Sequence, residues 1–271
     1  MGKKRSVNTF QSVSQKIAQG RGRGEGLTYT PWISGHEFAS RGTFIRMQGL
    51  TVPRLYCFMS RLEADAFVIY DCMPEVKDIL EQYYLTLEET KEIADNLHIQ
   101  HPRSGRYLNP VTTDLLIRKD TSWIARAVKT SRDLQNERTL EKLEIERIYF
   151  SRRGIDWKIV TEKEINRDLV QNLNWLWHGE SPEFVFPDLQ LLLEAEFFFL
   201  QLYEDDRLPF PHLIDLVESR FSFPPGSAVC IFKNLIRQGK IQIDLIKPLN
   251  MLNPRQPLER SFPDERYRSY C

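Results

Sequence analysis

At 271 residues the chain is long enough for one large domain or two ordinary ones, and 41% hydrophobic against 27% charged residues suits a globular protein with a real core. Lys+Arg and Asp+Glu both count 37, so the formal net charge is zero. That excludes a strongly basic, stand-alone DNA coat, but not a protein delivered to nucleic acid by partners. The four cysteines, Cys57, Cys72, Cys230 and Cys271, form no CxxC pair and no zinc spacing, and the basic start leads into no apolar run. A reduced, cytoplasmic setting with no membrane contact is expected.

Met1 to Gly26 carries Lys3, Lys4, Arg5, Lys16, Arg21 and Arg23 against one acid, Glu25, and ends in glycines alternating with arginines. It reads as a basic, flexible segment, either solvated or following a phosphate backbone, with a short helix over Asn8 to Ala18. Arg41, Arg46, Arg54 and Arg61 then recur with apolar residues between them, a pattern that fits a DNA-facing side or an ordinary solvated edge. His36-Glu37 lacks the second histidine of a zincin motif.

Ser60-Arg-Leu-Glu63 opens the first clear helix. Ser60 as N-cap and Glu63 three residues on make a capping box. By pattern alone Glu63 is a cap; a carboxylate aimed at a buried site is the alternative. Pro74 to Gln82 reads as a strand and Thr86 to Leu97 as a helix. His98 and His101, beside Pro102, read as a loop rather than as metal ligands.

Pro110 to Lys129 reads as two short strands joined by a polar turn over Arg118 to Ser122. With an even-numbered loop, Asp114 faces Ala127 or Lys129, and either register puts the Asp114 carboxylate and the Lys129 ammonium on one face. A cross-strand ion pair and a metal-assisted hydrolytic site both fit.

Glu137 to Ser151 is an amphipathic helix with Leu140, Leu143, Ile145 and Ile148 inward, stopped by Gly154. Ile155 to Val160 is a buried strand, and Thr161-Glu-Lys-Glu164 reads as a capping box opening a helix toward Trp177. The order is that of a mixed sheet flanked by helices. Beyond a linker near Trp177 to Pro187 come three helices, Asp188 to Tyr203, Phe210 to Phe221 and Ser227 to Gln238. An alternating strand, Ile241, Ile243 and Leu245, follows. Three helices and a strand suit a winged-helix-like domain, with Lys233 and Arg237 as weak candidates for DNA contact. The residues from Pro248 have no period and read as a tail that orders on a partner. The segmentation is therefore 1–26, 27–177, 178–247 and 248–271.

Several runs carry a resemblance: Pro31-Trp-Ile-Ser with His36-Glu, Ser60-Arg-Leu-Glu63, Ile79-Leu-Glu-Gln82, His101-Pro102, Thr112-Thr-Asp114-Leu-Leu, Ala127-Val-Lys129, Arg138-Thr-Leu-Glu-Lys-Leu-Glu-Ile-Glu146-Arg and Thr161-Glu-Lys-Glu-Ile-Asn166. Together, from about Tyr29 to Trp177, they resemble the TnsA endonucleases, one half of the heteromeric transposase of certain bacterial cut-and-paste transposons. The C-terminal third is similar only in layout.

The resemblance implies a restriction-endonuclease-like fold of the PD-(D/E)xK kind followed by a winged helix, and a catalytic set of Glu63, Asp114 and Lys129. It implies Mg²⁺, with Mn²⁺ able to substitute, held by Glu63, Asp114 and the Val128 backbone carbonyl. It implies double-stranded DNA at transposon ends as substrate, cut at the 5′ ends, with an integrase-like transposase subunit and a regulator ATPase as partners, the latter at the C-terminal region. A bacterial cytoplasmic protein, on the nucleoid when active, is expected. Arg21, Arg23, Arg41, Arg46, Arg54, Lys233 and Arg237 are the candidate DNA contacts.

One departure stands out. The general motif has Asp or Glu two residues before the lysine, where this chain has Ala127. Glu146 is then a candidate supporting acid, and weaker cation binding or a preference for Mn²⁺ follows as a hypothesis. A catalytically weakened module that keeps the nuclease fold as an assembly scaffold is the alternative reading.

Overall fold

The computed structural model describes residues 10–33, 44–177 and 188–255. His36-Glu37, Arg41, most of the expected linker and most of the expected C-terminal tail lie outside the described residues. The chain divides into two compact units, Met1–Ile165 and Asn166–Cys271.

The first unit is built on a four-stranded mixed sheet. Its strands are β3 (Val76–Tyr84), β6 (Thr112–Lys119), β7 (Trp123–Val128) and β8 (Asp156–Val160), in the order β3-β6-β7-β8. The first three are antiparallel neighbours, and β8 pairs parallel with β7. The parallel step needs a crossover, which the helix α4 (Glu137–Ser151) supplies. Leu80, Leu116 and Ala125 form one row across three strands and bury against Ile145, Tyr149 and Phe150 of α4 and against Ile93 and Ala94 of α3 (Leu87–Asn96). A helix with one apolar stripe over a pleated sheet is the simplest way to hide both. Leu140, expected inward, is 46% exposed: it lies in the first turn of α4, before the helix reaches the sheet.

The helix α2 (Arg61–Asp71) packs on β3, β6 and β7. Its Phe67 meets Tyr56 and Phe58 of β2 (Leu55–Phe58), the hairpin partner of β1 (Ile45–Gln48). A second small hairpin pairs β4 (Arg103–Ser104) with β5 (Tyr107–Leu108).

The glycine-arginine run is not the loose tail its composition predicts. After α1 (Phe10–Ala18) the chain folds back on β3. Gly22 N donates to Thr30 O (2.7 Å), Gly26 N donates to Asp78 Oδ2 (2.7 Å), and Glu25 pairs with Arg118 (2.8 Å). Gly22 has φ 68°, and a Cβ there would sit 2.6 Å from the Tyr84 Cβ. Only glycine meets both demands.

The second unit holds α5 (Arg167–Trp177), α6 (Leu189–Tyr203), α7 (Phe210–Phe221) and α8 (Ser227–Arg237). Phe199, Phe210 and Phe232 meet at its centre, with Phe232 4.8 Å from Phe210 and 5.8 Å from Phe199 between ring centroids. The helix α5, expected with the nuclease domain, is counted here because asparagines tie it down: Asn172 Nδ2 donates to the carbonyls of Leu245 (2.8 Å) and Lys247 (2.7 Å). The capping box at Thr161 and Glu164 forms, with Thr161 N donating to Glu164 Oε2 (2.7 Å), but it closes a turn. The helix begins only after Asn166, whose Oδ1 accepts from Leu169 N (2.9 Å). The strand expected over Ile241 to Leu245 is not formed. Those three side chains are buried, but their backbone finds no neighbouring strand, so the wing of a winged helix is absent among the described residues.

Candidate active site

The site is assembled by strand register. Leu115 pairs with Arg126 and Leu116 with Ala125, which sets Asp114 opposite Ala127. The intervening loop is closed by Lys119 N donating to Ser122 O (2.8 Å). Lys129, two residues past Ala127, returns to the same face. Its Nζ lies 2.6 Å from Asp114 Oδ2, an oxygen that also accepts from Val128 N at 2.7 Å. Lys129 Nζ donates to the Val128 carbonyl as well (3.0 Å). The even-looped hairpin thus brings acid and lysine together.

Glu63 arrives from the first turn of α2, and it is a cap and a site residue at once. Ser60 Oγ accepts from Glu63 N (3.1 Å) and donates to Glu63 Oε1 (2.9 Å), while Met59 N donates to Oε2 (3.0 Å). The same Oε2 accepts from Gln82 Nε2 at 3.3 Å, and that amide also donates to Asp114 Oδ1 at 3.5 Å. Capping fixes the rotamer that holds the carboxylate beside Gln82 and near Asp114. Glu63, Asp114 and Lys129 therefore converge.

Gln82 joins the candidates that the sequence singled out. It stands between the pairs Glu81–Leu115 and Tyr83–Thr113, hence opposite Asp114, with φ 50°. It closes the strand expected over Pro74 to Gln82; only the pairing of β3 with β6 shows what it faces.

Burial raises the Glu63 pKa to about 7, and the nearby Asp114 carboxylate adds to the rise against Met59, Ser60 and Lys129. Burial works against the Lys129 ammonium, but Asp114, Glu146 and Glu63 outweigh it, and its pKa is raised. Glu146, on α4, is buried; burial lifts its pKa to about 8, opposed chiefly by Lys129. The Thr113 hydroxyl and the Trp157 indole N–H beside it work with Lys129 against that rise.

The donor chemistry fits a hard divalent cation. Two carboxylates approach each other against their mutual repulsion, and the surrounding acceptors are oxygens. Among the described residues no three His, Cys, Asp or Glu side chains gather as a ligand set. A site with two acids and a carbonyl suits Mg²⁺, which keeps several waters, better than zinc. His101 is instead buried in hydrogen bonds, its Nε2 3.0 Å from Thr90 Oγ1 and its Nδ1 3.1 Å from Pro102 O.

The basic candidates divide. Arg23 and Arg46 are exposed, and Arg21 is half-buried. Arg54, expected on a DNA-facing side, is spent inside the protein: its guanidinium grips Glu81 at 2.9 and 2.5 Å and donates to Ile79 O at 2.7 Å. A buried glutamate needs such a partner, which removes Arg54 from a phosphate-binding surface. In the second unit Arg237 Nε donates to Leu176 O (2.9 Å), and Lys233 lies over the Trp175 ring (4.7 Å). Both are turned toward α5.

Two acids and a lysine on neighbouring elements of an α/β sheet, with oxygen donors for a cation, make up a site suited to phosphodiester hydrolysis. Comparison with known proteins gives the family. Residues 73–162 match the family model described as TnsA-like endonuclease N terminal, and residues 164–245 match TnsA endonuclease C terminal. The chain is 31% identical over 250 residues, 91% of its length and 90% of the relative's, to the Transposon Tn7 transposition protein TnsA of Escherichia coli. The chain belongs to the TnsA endonuclease family and is a DNA endonuclease. Among the described residues no helix is long and apolar enough to cross a membrane.

Proposed function

We propose that the chain cuts the 5′ ends of a cut-and-paste transposon as a Mg²⁺-dependent nuclease of the PD-(D/E)xK kind. It works beside an integrase-like transposase that cuts and joins the 3′ ends, and a regulator ATPase engages its C-terminal region. The observation that carries this reading is the meeting of Glu63, Asp114 and Lys129, with Lys129 Nζ 2.6 Å from Asp114 and Gln82 linking Asp114 to Glu63. The transposition role is supported by kinship with the Tn7 protein.

Each side chain has a distinct task. Asp114 turns Oδ2 to Lys129 and Val128 N, which leaves Oδ1, on the Glu63 side, for a cation. Glu63 and the Val128 carbonyl would hold the cation with it. A Mg²⁺ held by these groups would supply Lewis-acid chemistry at the scissile phosphate and a more acidic water. Without a cation, the Asp114 carboxylate raises the Lys129 pKa. Lys129 orients or deprotonates the attacking water, or offsets charge growing on the phosphate.

The scaffold alternative draws on Ala127. One strand-resolved cleavage assay separates the two, with transposon-end DNA and the partner transposase present. The nuclease reading expects 5′-strand cuts that vanish when EDTA removes the cation, and a loss of about 100-fold or more in Glu63→Gln. Unaltered 5′ cuts in Glu63→Gln would refute it.

A further inference from the structure

Ala127 leaves the motif one polar group short, yet the same row of the sheet carries another. Register aligns Gln82, Asp114 and Ala127 across β3, β6 and β7. Directly opposed residues on neighbouring strands point to one face, so Gln82 flanks Asp114 on the side away from Ala127. Ala127 is wholly buried and offers only a methyl group.

The backbone at Gln82 is unusual. Among the described non-glycine residues only Gln82, His98 and Ser222 have positive φ. His98 and Ser222 follow the ends of α3 and α7, where a left-handed residue is routine. Gln82 lies inside a strand, where nothing in the ladder demands it. Side chains other than glycine, asparagine and aspartate rarely adopt this conformation, and such outliers gather at functional sites. Here the conformation brings the carboxamide, on a buried residue, between the two carboxylates. Its other end is lightly held: Oε1 accepts from Thr112 Oγ1 at 3.4 Å. A half-turn of the amide exchanges oxygen and nitrogen, and Thr112 Oγ1 can accept as readily as donate.

We infer that Gln82 supplies from β3 the cation-facing group that β7 lacks at Ala127. Its amide nitrogen bridges Glu63 and Asp114 while no cation is present, and its oxygen turns toward the cation when one binds. This inference rests on the cation site proposed above.

The test is equilibrium binding of Mn²⁺ to the full-length chain, read as free Mn²⁺ by electron paramagnetic resonance, with folding checked by circular dichroism and Tm. The variants are Gln82→Asn, Gln82→Gly, Gln82→Glu and Asp114→Asn. Asparagine and glycine both accept the left-handed backbone, so they remove reach without forcing the strand. The expected result is a dissociation constant about tenfold weaker for Gln82→Asn and Gln82→Gly. Gln82→Glu, which keeps an oxygen at the same reach, binds as tightly as the parent or more so. Parental affinity in both Gln82→Asn and Gln82→Gly, or a loss in Gln82→Glu equal to that in Gln82→Gly, would overturn the inference while Asp114→Asn abolishes binding. Parental affinity in Asp114→Asn would instead remove the cation site itself.

Discussion

Glu146 shows how far a single carboxyl can be pushed when its neighbours are fixed by the fold. It projects from α4 toward Lys129, with Thr113 and Trp157 beside it. Burial raises its pKa from 4.5 to about 8. The folded state therefore keeps a proton that the unfolded chain gives up above about pH 4.5. Its contribution to stability is fully present below that value and is lost as pH rises toward 8. Glutamine at this position has no proton to lose. In the absence of divalent cations, Glu146→Gln should gain stability over the parent as pH rises from 5 to about 8, by a few kcal/mol, and the gap should level off beyond. Urea unfolding of both proteins across that range measures it. Glu63, raised to about 7 for the same reason, bends both curves alike and cancels in the difference. Parallel curves would show that Glu146 is not held neutral by its surroundings.

At the scale of elements, what was legible depended on how local the determinant is. The hairpin of β6 and β7 announces itself by its apolar runs and polar turn; an even loop left Asp114 opposite Ala127 or Lys129, and the pairing has the first. The helix α4 has the bounds its pattern gives. Glu63 looked like a cap and is one; that it also faces Asp114 depends on α2 packing over strands far away in sequence, and only resemblance pointed there. Gln82 could not be found without the β3–β6 pairing. The wing strand failed for the opposite reason: alternation predicts burial, which Ile241, Ile243 and Leu245 have, but a strand also needs a neighbour. The glycine run was misread because composition reports flexibility in the unfolded chain, whereas here glycines meet a steric demand of the folded one. Gly22→Ala tests this directly. A methyl group at φ 68°, 2.6 Å from the Tyr84 Cβ, cannot be relieved by rotating a side chain. Unfolding should show a loss of roughly 1–3 kcal/mol. A variant as stable as the parent would mean that the segment is not bound to β3 as described.

At the scale of the whole molecule, the chemistry belongs to the first unit, and the aromatic helical unit is built around a separate core. A protein of zero net charge, with the candidate contacts Arg54 and Arg237 tied to Glu81 and Leu176, is poorly equipped to hold DNA alone. The partner transposase proposed above would supply the hold on DNA that this charge economy leaves short. Asp114 is the proposed anchor of strand cleavage, on which Lys129 and Gln82 converge and which Gln82 links to Glu63. The most direct measurement is a reconstituted excision reaction with Asp114→Ala, resolved by strand at each transposon end. The account predicts 3′ joining without 5′ cuts. Equal 5′ cutting by Asp114→Ala and the parent chain would contradict it.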